Sequence, residues 1–92
     1  MTTTVNAPAL MNSQGAMQLM EDFKKSDGQD LQLDASDVKH VGAQALQVML
    51  AARKHWADGA KSLKIINPST DFRQGLQALG AEDLLHNVEQ PS

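Results

Sequence analysis

Leu31 to Leu50 reads LQLDASDVKHVGAQALQVML, and its first half and second half obey different periods. Leu31, Leu33 and Ala35 alternate with Gln32 and Asp34, the two-residue period of a half-buried strand. From Ala43 to about Ala57 the apolar residues recur with helical spacing, through Leu46, Met49 and Leu50 to Trp56. Between them lies a polar turn, Ser36 to Gly42. Strand, polar loop and apolar helix in that order make one half of a βαβ unit, so the segment predicts an α/β chain with parallel strand pairing.

Working outward gives further units of the same kind. Thr2 to Ala7 is short and β-branched and runs into Pro8, which suits an edge strand because proline has no N–H for a ladder. Asn12 and Ser13 are helix-capping residues, and Ala16, Leu19, Met20 and Phe23 follow as one apolar stripe on a helix ending near Lys25. Asp27-Gly28 turns the chain into Leu31. Beyond the second helix, closed by Asp58-Gly59, Ser62 to Asn67 reads as a strand. Ser69 then caps a helix carrying Phe72, Leu76 and Leu79, stopped at Gly80, with close packing expected at Gly75 and a short helix after it. Trp56 and the five methionines occupy core-like positions.

The central segment resembles the core of the STAS family, the domain of bacterial anti-sigma factor antagonists and sulfate transporter tails, whose pattern runs roughly LDLSGVxxIDSSGLxxLL. Without gaps, Leu33, Asp34, Ser36, Val38, Leu46 and Leu50 match. Asn67-Pro68-Ser69 is close to the family's NPS turn, and Leu79-Gly80-Ala81-Glu82-Asp83-Leu84-Leu85 is similar to its ending. The resemblance implies a small mixed β-sheet with a layer of helices in a single domain, here residues 5–88, with 1–4 and 89–92 as flexible ends. It also locates the serine that a partner kinase phosphorylates in switching members. The family's Asp-Ser-Ser-Gly falls on Gly42, Ala43, Gln44 and Ala45, so Gln44 stands at that serine and offers no hydroxyl.

Composition narrows the functional classes. Ninety-two residues make one small domain, and 41% hydrophobic content fits a soluble globular chain. A net charge of -3 and a pI near 5.4 supply no basic footprint for phosphates, which argues against nucleic acid. No apolar run nears the ~20 residues that span a bilayer, so no direct membrane insertion is expected. The absence of Cys and of a signal-like start points to a reducing cytoplasm.

Candidate chemistry is sparse. Asp34 and Asp37 read as turn punctuation rather than an acid pair. His40, His55 and His86 lack a second ligand at helical spacing, so neither a metal nor any other cofactor is expected. Ser36 near His40 has no oxyanion loop or nucleophile-elbow glycines, so the chain is not expected to be an enzyme.

What remains is a protein-interaction domain. The loop Ser36 to Gln44 leads into a helix N-terminus, where free N–H groups favour acidic partners. Ser36, Asp37, Lys39, His40, Gly42, Ala43, Gln44, Gln47 and Val48 form the expected footprint, with Val48 and Ala52 on a helix face beyond core needs. The family resemblance implies a signalling role and a kinase or kinase-like regulator as partner. The missing serine is similar to the small STAS proteins of bacterial chemotaxis operons, which bind the chemotaxis histidine kinase and assist dephosphorylation of a response regulator. The alternative is a structural subunit, similar to the STAS component of ABC-type phospholipid transporters.

Overall fold

The computed structural model describes residues 2–89, and side-chain surroundings as far as Leu84. Among these residues six strands and three α-helices follow one another: β1 Thr2–Asn6, β2 Leu10–Met11, α1 Ser13–Lys25, β3 Asp30–Asp34, β4 His40–Val41, α2 Ala43–Asp58, β5 Leu63–Ile66, α3 Thr70–Ala78 and β6 Val88–Glu89, with a 3-10 helix at Glu82–Asn87. The main sheet runs β1-β3-β5-β6. All its pairings are parallel, as strands separated by helical crossovers require. The α/β architecture implied by the sequence is therefore the one adopted. β1 is indeed an edge strand, and its ladder to β3 begins at Thr2, so residues 2–4 belong to the sheet instead of forming a loose lead-in. Of the expected flexible tail 89–92, everything beyond Glu89 lies outside the described residues.

The core is built from the faces the periods select, with corrections. On α1, Ala16, Leu19 and Phe23 are buried, but Met20 is 44% exposed because it sits on the outer shoulder of the helix. On α2 the buried set is Ala45, Leu46, Met49, Ala52 and Trp56. Leu50 only packs against the edge of that core, and Ala52, expected to face a partner, lies within it. On α3, Phe72 and Leu76 are fully buried, whereas Leu79 caps the helix C-terminus and is exposed. Among the methionines, Met11 and Met49 are core residues while Met17 and Met20 face outward. Trp56 ties two layers together: its indole N–H donates to the Gln29 carbonyl at 2.7 Å, and its ring meets Phe23 edge-on at 5.7 Å. An unpartnered buried indole N–H would cost free energy, so this bond fixes where α2 lies against the turn before β3.

Close packing explains Gly75. A Cβ there would stand 3.1 Å from the Val41 side chain, so the absent methyl lets α3 approach β4.

Candidate functional site

The segment after β3 is held at both ends and in the middle. The Asp34 carboxylate accepts the Ser36 N–H at 2.9 Å, a turn bond that punctuates the strand end as expected. Farther along, the Lys39 N–H donates to the Ala9 carbonyl at 2.8 Å. His40 and Val41 then pair in parallel with Leu10 and Met11, a two-strand ladder separate from the main sheet. The Gly42 N–H closes the run on the Met11 carbonyl at 2.8 Å. A Cβ at Gly42 would come within 2.9 Å of that same oxygen, so the approach needs glycine.

The NPS turn holds the loop from the other side. Asn67 takes a left-handed conformation, φ 51°, which asparagine tolerates better than most residues, and this turns the chain into Pro68. Ser69 then does two jobs with one hydroxyl: it donates to the Val38 carbonyl at 2.6 Å and accepts the Phe72 N–H at 3.0 Å, capping α3. Its own N–H donates to the Ala35 carbonyl at 3.1 Å. The cap was legible from the sequence; the latch onto Val38 was not, because nothing local in Asn67-Pro68-Ser69 announces a neighbour 31 residues earlier.

With its backbone pinned, the loop presents side chains. Ser36, Asp37, Lys39 and His40 are exposed, as are Ala43, Gln44 and Gln47, while Gly42 and Val48 are half-buried. Gly42 caps α2 through its backbone alone, so its position supplies no side-chain hydrogen bond to the first-turn amides of α2. Gln44 is not simply solvated: its amide oxygen accepts the hydroxyl of Ser13, in the first turn of α1. Two helix N-termini thus stand side by side, a juxtaposition that sequence reasoning missed because the partners are far apart in the chain.

The nine footprint residues do not share one concavity. Ser36, Asp37 and Lys39 line a shallow cleft of about 630 Å³ together with Pro8, Ala9 and Asp71. Gln47 and Val48 line a different groove, of about 790 Å³, between α1 and α2. Gln44 and His40 line neither.

The Asp34 carboxyl is held below its ordinary value. The Ser36 hydroxyl contributes most, partial burial opposes it, and the Ser36 N–H and the Asn67 amide add to the lowering. A carboxyl whose folded pKa is depressed stabilises the fold fully above its ordinary value of 3.8 and loses that contribution as pH falls through the depressed one. The gap in urea-melt stability between the native chain and Asp34→Asn should therefore be constant from pH 7 to 5 and close below about pH 4. A gap that stays unchanged at pH 3 contradicts the bonding described.

Among the described residues no group of three His, Asp or Glu side chains is placed to hold a cation. His55 instead bonds the Asp27 carboxylate at 2.7 Å, and the side chain of His86 lies outside the described residues. No described helix is long and apolar enough to cross a membrane.

Comparison with known proteins places this architecture. A family model described as "Mlab, STAS domain" matches residues 2–86. No curated protein matches the chain closely enough to count as a relative. The match runs from the first described strand into the 3-10 helix, and so takes in the pinned loop, the glycine-capped helix and the NPS latch. The chain belongs to the STAS domain family.

Proposed function

We propose that this domain is a non-enzymatic interaction module that docks on a kinase or kinase-like regulator through Ser36 to Gln44 and the first turns of α2. The observation that carries the reading is the pinned loop. Asp34, Ser69 and Ala9 absorb its backbone bonds, which leaves the polar side chains of Ser36, Asp37, Lys39 and His40 displayed at little ordering cost on binding. The α2 N-terminus beside them, which has no side-chain cap, favours a partner's carboxylate. With an amide at position 44 the surface cannot accept a phosphate there, so its affinity is set without modification of that residue. Such a constitutive surface suits the small STAS proteins of chemotaxis operons, which bind the chemotaxis histidine kinase and aid response-regulator dephosphorylation.

The bond between Ser13 and Gln44 favours a second reading, because it ties the switch position into the domain's own framework. On that reading the chain is a structural subunit that braces the ATPase of an ABC-type phospholipid transporter.

Affinity capture from native lysate with the full chain as bait, followed by mass spectrometry, separates the two. The first reading expects a sensor kinase or kinase-like regulator among the captured proteins. Capture of a transporter ATPase, with no kinase, rejects it in favour of the second.

A further inference from the structure

The chain contains two Asp-Gly pairs, Asp27-Gly28 just after α1 and Asp58-Gly59 at the end of α2. An aspartyl carboxyl meets the next backbone nitrogen most readily when that residue is glycine, which has no Cβ to block the approach. The fold treats the two pairs differently. The Gly59 N–H is occupied, donating to the His55 carbonyl at 3.1 Å as a continuation of the α2 ladder. The Gly28 N–H has no hydrogen-bond partner among the described residues, although its neighbours Asp27 and Gln29 donate to the Lys24 and Ser26 carbonyls. Gly28 is also exposed, and its φ of 83° is a left-handed turn that glycine adopts without strain.

The carboxyl beside that free nitrogen has a proton carrier in place. His55 Nε2 lies 2.7 Å from one Asp27 oxygen, and both side chains are exposed to water. The imidazole is itself seated, edge-on to the Trp56 ring with centroids 5.5 Å apart. Asp27, Gly28 and His55 share a cleft of about 340 Å³ with Gly59 and Lys61. Nucleophile, carboxyl, proton carrier and water therefore meet at Asp27-Gly28, whereas at Asp58-Gly59 the nucleophile is held by the helix.

We propose that Asp27-Gly28 is a site of spontaneous isoaspartate formation, with His55 as the proton donor. The Gly28 nitrogen attacks Asp27 Cγ, and the new C–N bond closes a five-membered succinimide. The carboxylate oxygen beside His55 departs as water, taking one proton from the His55 imidazolium and one from the Gly28 N–H, and the imidazole is left neutral. Water then adds to one of the two succinimide carbonyls. Opening at the main-chain carbonyl of Asp27 leaves the peptide running through the former side chain, an isoaspartate, while opening at the other carbonyl restores aspartate. The water lost in the first step is returned in the second, and no electrons are transferred. The product has one more main-chain atom in the turn between α1 and β3, and its free carboxylate no longer sits at Cγ against His55. That change falls two residues before Gln29, whose carbonyl holds the Trp56 indole at 2.7 Å, so it bears on the bond that places α2. The modification is independent of the Ser36 to Gln44 loop and of whatever docks there.

The test is incubation of the folded chain in heavy-oxygen water at near-neutral pH. Each passage through the succinimide retains one solvent oxygen, so peptide mapping by mass reads Asp27 and Asp58 in the same digest, and an isoaspartyl methyltransferase with a labelled methyl donor counts the isoaspartate. Label should enter Asp27 at least tenfold faster than Asp58, and the methyltransferase should modify the Asp27 peptide. In urea, where neither the helix bond to Gly59 nor the His55 contact survives, the two sites should take up label at like rates. His55→Ala, at an exposed position and checked for an unchanged melting curve, should slow labelling of Asp27 at least about tenfold, a fraction of the ~10²-fold or more that a positioned acid contributes. Asp27→Glu, which would have to close a six-membered ring, should abolish labelling there. Equal labelling of Asp27 and Asp58 in the folded chain overturns the proposal, as does the same unequal ratio in urea, which would trace the preference to sequence alone. Label without methyl transfer would deny the isoaspartate product, and a His55→Ala rate at or above the native one would remove His55 as the donor.

Discussion

Phe72→Ala should cost the domain about 3–5 kcal/mol, the range for removing a buried aromatic ring. Phe72 is fully buried on α3, and Leu76 one turn later is equally enclosed, so the two anchor that helix to the rest of the core. Small domains have ~5–15 kcal/mol of stability in all, which makes this loss a large share of the total. Alanine keeps the backbone N–H that donates to the Ser69 hydroxyl, so the loss comes from the ring alone, and the Ser69 latch on Val38 suffers only as far as α3 loosens. Urea melts followed by circular dichroism measure the loss, with Phe72→Leu as a milder control expected to keep most of the stability. A Phe72→Ala protein that melts with the native chain would mean that α3 packs by another face.

Gly15→Ala should destabilise the domain by about 1–3 kcal/mol, as overpacking does. The sign matters more than the size. Within a helix, alanine in place of glycine normally stabilises by ~1 kcal/mol, so propensity alone forecasts a gain. Gly15 is the third residue of α1, and a Cβ there would collide with the backbone carbonyl oxygen of Leu10, with the Pro8 ring close behind. A backbone carbonyl within β2 cannot rotate away as a side-chain tip can, so either α1 or β2 must move. Moving β2 disturbs its ladder to β4, and with it the loop ahead of α2. A raised melting temperature for Gly15→Ala would show that β2 yields freely, and that the two-residue ladder does little to fix the loop.

How much of this was legible in the sequence depended on range. Local signals held: Asn12 and Ser69 cap the helices they precede, and the period-two run puts Leu31, Leu33 and Ala35 in the core. The α/β order and the loop's place between strand and helix followed from the same signals. Period counting failed at the helix margins. Met20, Leu50 and Leu79 fit apolar stripes as well as their neighbours do, yet they lie where the helix turns from core to solvent, and only the neighbouring elements decide that boundary. The candidate site was half legible. Its polar loop announced itself, but its supports are long-range: the β2–β4 ladder is only two residues deep, Ser69 reaches Val38 from the next unit, and Ser13 meets Gln44 across two helix starts. The α1–α2 groove was invisible for the same reason, since its walls come from helices whose relative placement no single segment encodes.

Gln44→Arg tests most directly whether position 44 belongs to the proposed docking surface. Arginine sets a long cation beside the positive end of the α2 dipole, at an exposed position where the native side chain has a single hydrogen bond to Ser13. The fold should tolerate the change, with a melting temperature near that of the native chain. Affinity for the captured partner, measured by isothermal titration with purified components, should fall at least tenfold, or about 1.4 kcal/mol. A folded Gln44→Arg protein that binds that partner as tightly as the native chain would contradict the account and remove the Ser36 to Gln44 loop from the interface.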